Sequence, residues 1–383
     1  MMSNTRKKDG FVLQAGILAV AGIICRLIGL FYRGPLTAII GDEGNGYYQA
    51  AYNIYTIVLL ISSYSIPSAI SKVIAQKLSF REYQNAHRIF ICSLWYVLAV
   101  GGAASLLLFF GAEFLVDGPA VSVLKVFAPT IFLYGILGVL RGYFQAHKTM
   151  LQTSVSQILE QILNAFVSVG AAYLLIVLTL GSAGKYTLDN DTVYLQGKAV
   201  AESPMQVMDE NGFPLLSEEG DYVYALTVEQ EAWNTKNATY GALGSALGTG
   251  AGVGIALLFM WAVYGLNRNM IHRRLERDRN GKVDSYREIF RLLTSVVIPF
   301  ILSTAIYNLS TALNQTIYTK INMLWKGTKE AETFTRYGIF SGKAVVISNI
   351  PIALSSAMSS AILPGISAAC AKGDLEDARE RVA

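Results

Sequence analysis

The sequence predicts an all-α polytopic membrane protein with about eight transmembrane helices and a small extracytoplasmic β-like insertion. Hydrophobic residues make up 53% of the 383 residues and charged residues only 15%, a balance too apolar for a soluble domain of this length. Several apolar runs are long enough to cross about 30 Å of hydrocarbon as helices. Since lipid offers no partners to exposed backbone groups, and the runs are too long for barrel strands, these segments are predicted to be helical.

The apolar runs follow one another along the chain with short polar connections. They lie at about 11–41, 46–76, 86–110, 121–146, 150–180, 239–267, 290–319 and 337–368. Lys and Arg accumulate in alternate connections, which places those connections and both ends of the chain on the cytoplasmic side. The intervening connections, GDEGNG at 41–46, GAEFLVDGPA at 111–120 and the long segment 181–238, are predicted to lie outside.

Segment 181–238 departs from the composition of the rest of the chain. It carries ten acidic residues against three lysines. The strand-like pieces TVYLQGKAV and DYVYALTV flank the turn dipeptide Asn211-Gly212, which favours a small β insertion. A disordered acidic loop is the alternative.

Composition also excludes several classes of function. The formal charge of +4 is dispersed over connections, so a nucleic-acid partner is not expected. The three cysteines lack CxxC spacing, and the three histidines are expected to be solvated residues of separate connections. No metal site, cofactor or catalytic group is predicted, so the protein is not expected to be an enzyme.

Two arginines occur inside the first apolar run. Arg26 and Arg33 are seven residues apart, which returns a helix to within about 20° of the same face. A guanidinium near the bilayer centre costs about 2.5–3.5 kcal/mol, so such residues usually face a protein interior or a wet cavity. The alternative is snorkelling, which fits Arg33 better than the deeper Arg26.

Polar residues also mark three later helices. Gln157, Glu160 and Asn164 share one face of the fifth, where Glu160 is a candidate counter-charge to Arg26, a proton-coupled group or half of a structural ion pair. In the seventh, Asn308 and Gln315 belong to a polar stripe with Thr304 and Thr311, which faces a polar lumen or bonds to another helix. Lys343 adds a charge to the eighth or snorkels to the surface.

One helix carries a glycine series. Gly244, Gly248 and Gly252 repeat at four-residue spacing in GALGSALGTGAGVG. Small residues at this spacing let another backbone approach closely in a membrane. The sixth helix is therefore predicted to form a tight seam with a neighbouring helix.

The motifs RLIGLFYRGPLTAIIG, GYYQAAYNIY, SIPSAISKVIAQK, LRGYFQAHKTM, SQILEQ and YGIFSGKAVVISNIP resemble those of MurJ-like and stage V sporulation protein B-like proteins. These are polysaccharide biosynthesis proteins of the multidrug/oligosaccharidyl-lipid/polysaccharide exporter superfamily. The resemblance implies two six-helix lobes around a central cavity. It also implies that Arg26 and Arg33 line the cavity and engage a pyrophosphate, although a further arginine expected early in the second helix is missing here.

This resemblance implies a domain plan and a function. A first lobe would occupy 1–267 with the insertion at 181–238, a cytoplasmic linker 268–289, and the first two helices of an incomplete second lobe 290–383, so the chain is expected to be a fragment. The implied function is a flippase of the bacterial cytoplasmic membrane that moves a lipid-linked oligosaccharide, such as lipid II, by alternating access in cell-wall biosynthesis or sporulation. The alternatives are a cation-coupled multidrug exporter and a membrane scaffold whose insertion docks cell-wall enzymes.

Overall fold

The computed structural model describes residues 2–64, 66–147, 149–195, 197–200, 203–208, 213–215, 222–276, 278, 284–345 and 347–348. The side chains of 2–15, 19, 64, 68, 300–301 and 303–312 lie outside this description. The described helices are α1 (Met2–Leu59), α2 (Ile66–Ser79), α3 (Tyr83–Leu115), α4 (Ala120–Ala146), α5 (Met150–Leu180), α6 (Val228–Leu266), α7 (Arg268–Leu275), α8 (Tyr286–Lys320) and α9 (Glu330–Ile339). Single π-helical segments follow α1, α8 and α9 at Leu60–Tyr64, Ile321–Trp325 and Phe340–Ala344.

The helical, membrane-crossing architecture predicted from composition is confirmed. Each of the first seven predicted spans is helical, and five stretches within the described helices are long and apolar enough to cross a membrane. Most of the eighth predicted span, including Pro351 and Pro364, lies outside the described residues.

The first two predicted spans join through a bend rather than an exposed loop. The connection predicted at 41–46 is a bend at Gly41, which alone has non-helical angles of φ 72° and ψ 175°, with α1 helical on both sides of it. Glycine adopts this positive φ without a steric cost. The next residues are buried because Gly44 lies against the Ala238 backbone of α6 and Gly46 against Phe334 of α9.

The predicted glycine seam is confirmed between α5 and α6. A Cβ on Gly244 or Gly248 would meet the backbone of Ala172 or Ser168 on α5. A Cβ on Gly252 would lie 2.6 Å from the carbonyl oxygen of Glu160. The two helices are therefore held at a separation that only glycine permits.

The insertion between α5 and α6 contains short antiparallel strands, as its sequence predicted. The strands β1 (Tyr186–Asp189), β2 (Thr192–Leu195) and β3 (Lys198–Ala199) form one sheet, and β4 (Met205–Gln206) pairs with β5 (Tyr224–Ala225). The turn dipeptide Asn211-Gly212 lies outside the described residues. Asn234 of α6 anchors the insertion, since its amide accepts from the Tyr186 N–H at 2.8 Å and donates to the Tyr186 carbonyl at 3.0 Å.

The predicted end of this insertion at residue 238 is too late. Helix α6 already begins at Val228, where Thr227 and Gln230 form a capping box. Glu229 and Glu231 in the first turn further favour a helix start, because carboxylates stabilise helix N-termini. Acidic composition alone therefore misplaced this boundary.

The basic connections meet at one end of the bundle. Lys77, at the end of α2, lies 2.8 Å from Glu82 and 2.6 Å from Asp284, just before α8. Burial lowers the pKa of Lys77, but the hydrogen bonds and charges of the two carboxylates outweigh it, so the pKa is raised overall. The guanidinium of Arg88 lies 5.0 Å from the ring centre of Tyr286. The grouping agrees with the alternation of basic connections from which the topology was predicted.

Candidate functional site

Arg26 and Arg33 share one edge of α1, as predicted. Ala21, at 2% exposed, and Leu36, at 5%, lie on the face that packs into the bundle, whereas Phe31, at 75%, lies on the opposite face. The arginines lie between these two faces; Arg26 is exposed and Arg33 is half-buried. The apolar face of α1 is thus separated from its packed face by a strip that carries two positive charges.

Arg33 belongs to a polar group that joins three helices. The Tyr32 hydroxyl lies near Asn164 of α5 and near Arg33. The Asn164 carbonyl oxygen accepts from Ser168 at 2.9 Å and from Thr249 of α6 at 3.4 Å. The structure therefore places two predicted site residues, Arg33 and Asn164, near one tyrosine that sequence analysis did not identify.

Aromatic side chains pack beside this group. Tyr48, Tyr52 and Tyr55 of α1 surround Phe127 of α4, with ring centres 5.5, 5.9 and 4.7 Å from that of Phe127. The Tyr48 hydroxyl lies 3.3 Å from that of Thr249, so the aromatic cluster joins the Asn164 group. Aromatic rings with hydroxyls can bury large areas and still bond to polar ligands.

Glu160 pairs with Arg141 of α4 rather than with Arg26. The Arg141 Nη2 atom donates to Glu160 Oε2 at 2.7 Å, and Nε donates to Ser156 Oγ at 2.8 Å. Their side chains are 5% and 13% exposed. The prediction that Glu160 is the counter-charge to Arg26 is wrong, because Arg141 occupies it. Gln157, one turn away on α5, is half-buried.

Arg141 was missed because it lies close to the end of an apolar run. In sequence such a residue is indistinguishable from a basic residue of a connection. The structure shows α4 continuing helically to Ala146. The sequence offered one indication that Arg141 is buried, because the LRGYFQ motif places it among small and aromatic residues.

The polar stripe of α8 is described only at its end. Gln315 is 4% exposed and its Oε1 accepts from Asn53 of α1 at 2.8 Å. Asn53 also donates to the Tyr337 hydroxyl at 2.7 Å. The side chain of Asn308, like those of Thr304 and Thr311, lies outside the described residues. Gln315 therefore forms a hydrogen bond between α8 and α1, which is one of the two roles predicted for the stripe.

Lys343 lies at the bend of α1, away from the Asn164 group. Its Nζ atom is 2.8 and 2.9 Å from the two carboxylate oxygens of Asp42. Nearby, Asn45 donates to the Gly338 carbonyl at 3.0 Å. Lys343 thus helps to fix α9 and the segment after it on the bend at Gly41.

No group of three His, Cys, Asp or Glu residues suited to a metal ion occurs in the described part of the chain. The chemistry offered around α1, α4 and α5 is instead that of cationic donors, hydroxyls, amides and aromatic rings. Such a set suits an anionic, sugar-bearing or aromatic ligand.

Comparison with known proteins agrees with these features. Residues 12–188 match the family described as "Polysaccharide biosynthesis protein". Stage V sporulation protein B of Bacillus subtilis (strain 168) is 24% identical over 94% of this chain and 58% of its own length. Lipid II flippase MurJ of the same organism is 26% identical over 46% of this chain and 34% of its own length. The chain therefore spans about three fifths, or less, of these relatives.

Solved transporters share the fold. A multidrug resistance MATE family transporter of the MOP superfamily, in an inward-facing conformation, superposes with a TM-score of 0.57 at 14% identity, covering 95% of this chain and 68% of that one. A MOP superfamily transporter from Pyrococcus furiosus gives 0.53 at 15% identity, covering 97% and 67%. At these identities the likeness concerns the fold alone. With the family match over residues 12–188 and the two curated relatives, it confirms the predicted resemblance of this chain to the MurJ-like and stage V sporulation protein B-like polysaccharide biosynthesis proteins.

Proposed function

We propose that this protein moves a lipid-linked oligosaccharide, lipid II or another polyprenyl-pyrophosphate sugar, across the bacterial cytoplasmic membrane by alternating access. The name of one relative, lipid II flippase, supports this substrate class. The chain covers 58% of the length of stage V sporulation protein B, and the proposal concerns the activity of a whole transporter of that kind. In it, residues 1–267 form one lobe, 268–289 the linker and 290–383 part of the other.

The observation that carries the proposal is the arginine strip on α1. Arg26 is exposed inside a membrane-crossing segment, where a guanidinium facing lipid costs about 2.5–3.5 kcal/mol. An aqueous or anion-containing chamber along this edge removes that cost. Arg33 continues the strip toward the Asn164 group. Two guanidinium groups about 10 Å apart along a helix can each bind one end of a pyrophosphate headgroup region through charge-assisted bonds.

The remaining polar residues have supporting roles in this proposal. The hydroxyls and amides of Tyr48, Asn164 and Gln157 bind sugar hydroxyls, and we assign the same role to Gln315 and Asn308 of α8. The Arg141–Glu160 pair keeps a third guanidinium beside α5 without adding net charge. Lys343 is positioned by Asp42 at the bend and draws anionic headgroups to that end.

The test replaces Arg26 with Gln in the gene and assays translocation of a fluorescent polyprenyl-pyrophosphate sugar by the purified protein in vesicles. We expect the rate to fall at least tenfold while the amount of folded protein stays near normal. Arg336→Gln is the control, because it also removes one guanidinium. Arg336 is an exposed residue of α9 that pairs with Glu332 in the preceding turn. Equal activity of the two variants would exclude the assigned role of the strip.

A cation-coupled drug exporter is the second candidate, since solved MATE transporters share this fold. Such an exporter needs an acid that can exchange its counter-charge for a proton or metal ion. Glu160 is the acid available on α5, but Arg141 already neutralises it. Efflux of a cationic dye that depends on Glu160 but not on Arg26 would favour the exporter.

A further inference from the structure

A second basic site lies at the end of the bundle where the Lys- and Arg-rich connections meet. A small pocket, partly open to solvent, lies between the start of α3, the end of α4 and α7. Its lining includes His87, His147, Arg274, Tyr83, Tyr143 and Ile271. The expectation that the histidines are solvated residues of separate connections is wrong for His87 and His147, which are half-buried and share this pocket.

Arg274 and the two histidines supply the charged and polar groups of the pocket. The His147 Nδ1 atom lies 2.9 Å from the Tyr143 carbonyl oxygen, which fixes this ring and directs Nε2 away from it. The Nδ1 atom of His87 is buried and has no hydrogen-bond partner among the described residues. Burial is the largest cause that lowers the pKa of His147, and the charge of Arg274 lowers it further. The hydrogen bond to Tyr143 raises it, but by less.

No anion within the described residues balances Arg274. The ion pairs found there do not include it. Glu82 and Asp284 pair with Lys77, and one Asp278 carboxylate oxygen accepts from the Gln84 N–H at 2.7 Å. A metal ion does not suit the pocket, because it holds a guanidinium and no three His, Cys, Asp or Glu ligands.

We propose that this pocket binds a phosphate group, supplied either by an anionic lipid headgroup or by a soluble phosphate compound. A guanidinium can hold two phosphate oxygens at once, which makes Arg274 the anchor. His87 donates from Nε2 to a second oxygen. The bound anion favours the imidazolium form of His147, whose Nε2–H then donates to a third oxygen. Ile271 and Leu275 cover the apolar side of the ligand. This site is separate from the arginine strip of α1, and it stands or falls independently of the transport proposal.

Binding here would connect helices that are otherwise weakly joined. Arg274 belongs to α7, which lies in the linker between the proposed lobes, whereas His87 and His147 belong to the first lobe. A phosphate held by all three fixes α7 on that lobe. The bound anion therefore acts as a brace on the linker.

The experiment measures phosphate binding to the purified full chain in two arms. In one arm, inorganic phosphate is titrated in detergent solution. In the other, the protein is placed in nanodiscs of phosphatidylcholine with or without phosphatidylglycerol, and retained lipid is counted by native mass spectrometry. The variants are Arg274→Gln and, as matched control, Arg273→Gln, an exposed neighbour on the same helix.

We expect Arg274→Gln to weaken binding about tenfold or more in at least one arm, because it removes a charge-assisted pair. Arg273→Gln should change it less than twofold. An effect in the first arm identifies a soluble phosphate, and an effect confined to the second identifies a lipid. Equal effects of the two variants, or binding in neither arm, would overturn the proposal.

Discussion

Replacing Glu160 with Gln should destabilise the protein strongly by leaving Arg141 charged and buried. The two side chains are 5% and 13% exposed, with Arg141 Nη2 2.7 Å from Glu160 Oε2. With charge centres about 4 Å apart, their attraction is about 4 kcal/mol at an effective dielectric constant of 20. The glutamine keeps a neutral hydrogen bond worth about 1 kcal/mol, but the guanidinium loses its counter-ion. Removal of one partner of a buried pair typically costs about 3–5 kcal/mol.

The assay is denaturant unfolding of the purified protein in mixed micelles, followed by tryptophan fluorescence. Glu113→Gln is the matched control, because Glu113 pairs with Lys125 at 2.8 Å but is 69% exposed, so little change is expected. Replacing Arg141 and Glu160 together by leucine should recover most of the lost stability, since no buried charge then remains. If Glu160→Gln costs no more than Glu113→Gln, the pair is not buried as described.

Two further predictions concern the seam and the outer contact of α9. Gly248→Leu should separate α5 from α6 and greatly reduce the yield of monodisperse protein. Gly254→Leu is the control and should be tolerated, because there is open space around the Cβ position of Gly254. Similar yields of the two variants would contradict the seam. Burial, reinforced by the charges of Asp117 and Glu43, raises the pKa of Glu330 above 4.5 in the folded protein. The folded state then binds more protons than the unfolded one, so stability falls as pH rises from about 4.5 through the folded pKa. Glu330→Gln should flatten this slope in thermal unfolding between pH 4.5 and 7; an unchanged slope would assign it to other groups.

Repetitive features of the sequence were enough to predict the helices, the seam and the arginine strip. A run of about 20 apolar residues forms a helix in lipid whatever surrounds it, because its backbone groups have no other partners. Glycines four residues apart in α6 fall on one face of any helix, and so do arginines seven apart in α1. These properties are local, which is why Gly248 and Arg26 were placed correctly on their helices.

Only the tertiary structure decided which side chains pair. Glu160 could reach Arg26 or Arg141 in principle, and the choice depends on how α5 is rotated against α1 and α4. Similarly, the two histidines at 87 and 147 line one pocket only because α3 begins at the level of the bundle where α4 ends. Such contacts depend on helix rotation and axial offset, which are set by packing between segments distant in the chain. The amino-acid sequence therefore determined where the charges lie along each helix, and the packing of the helices determined which partner each charge meets.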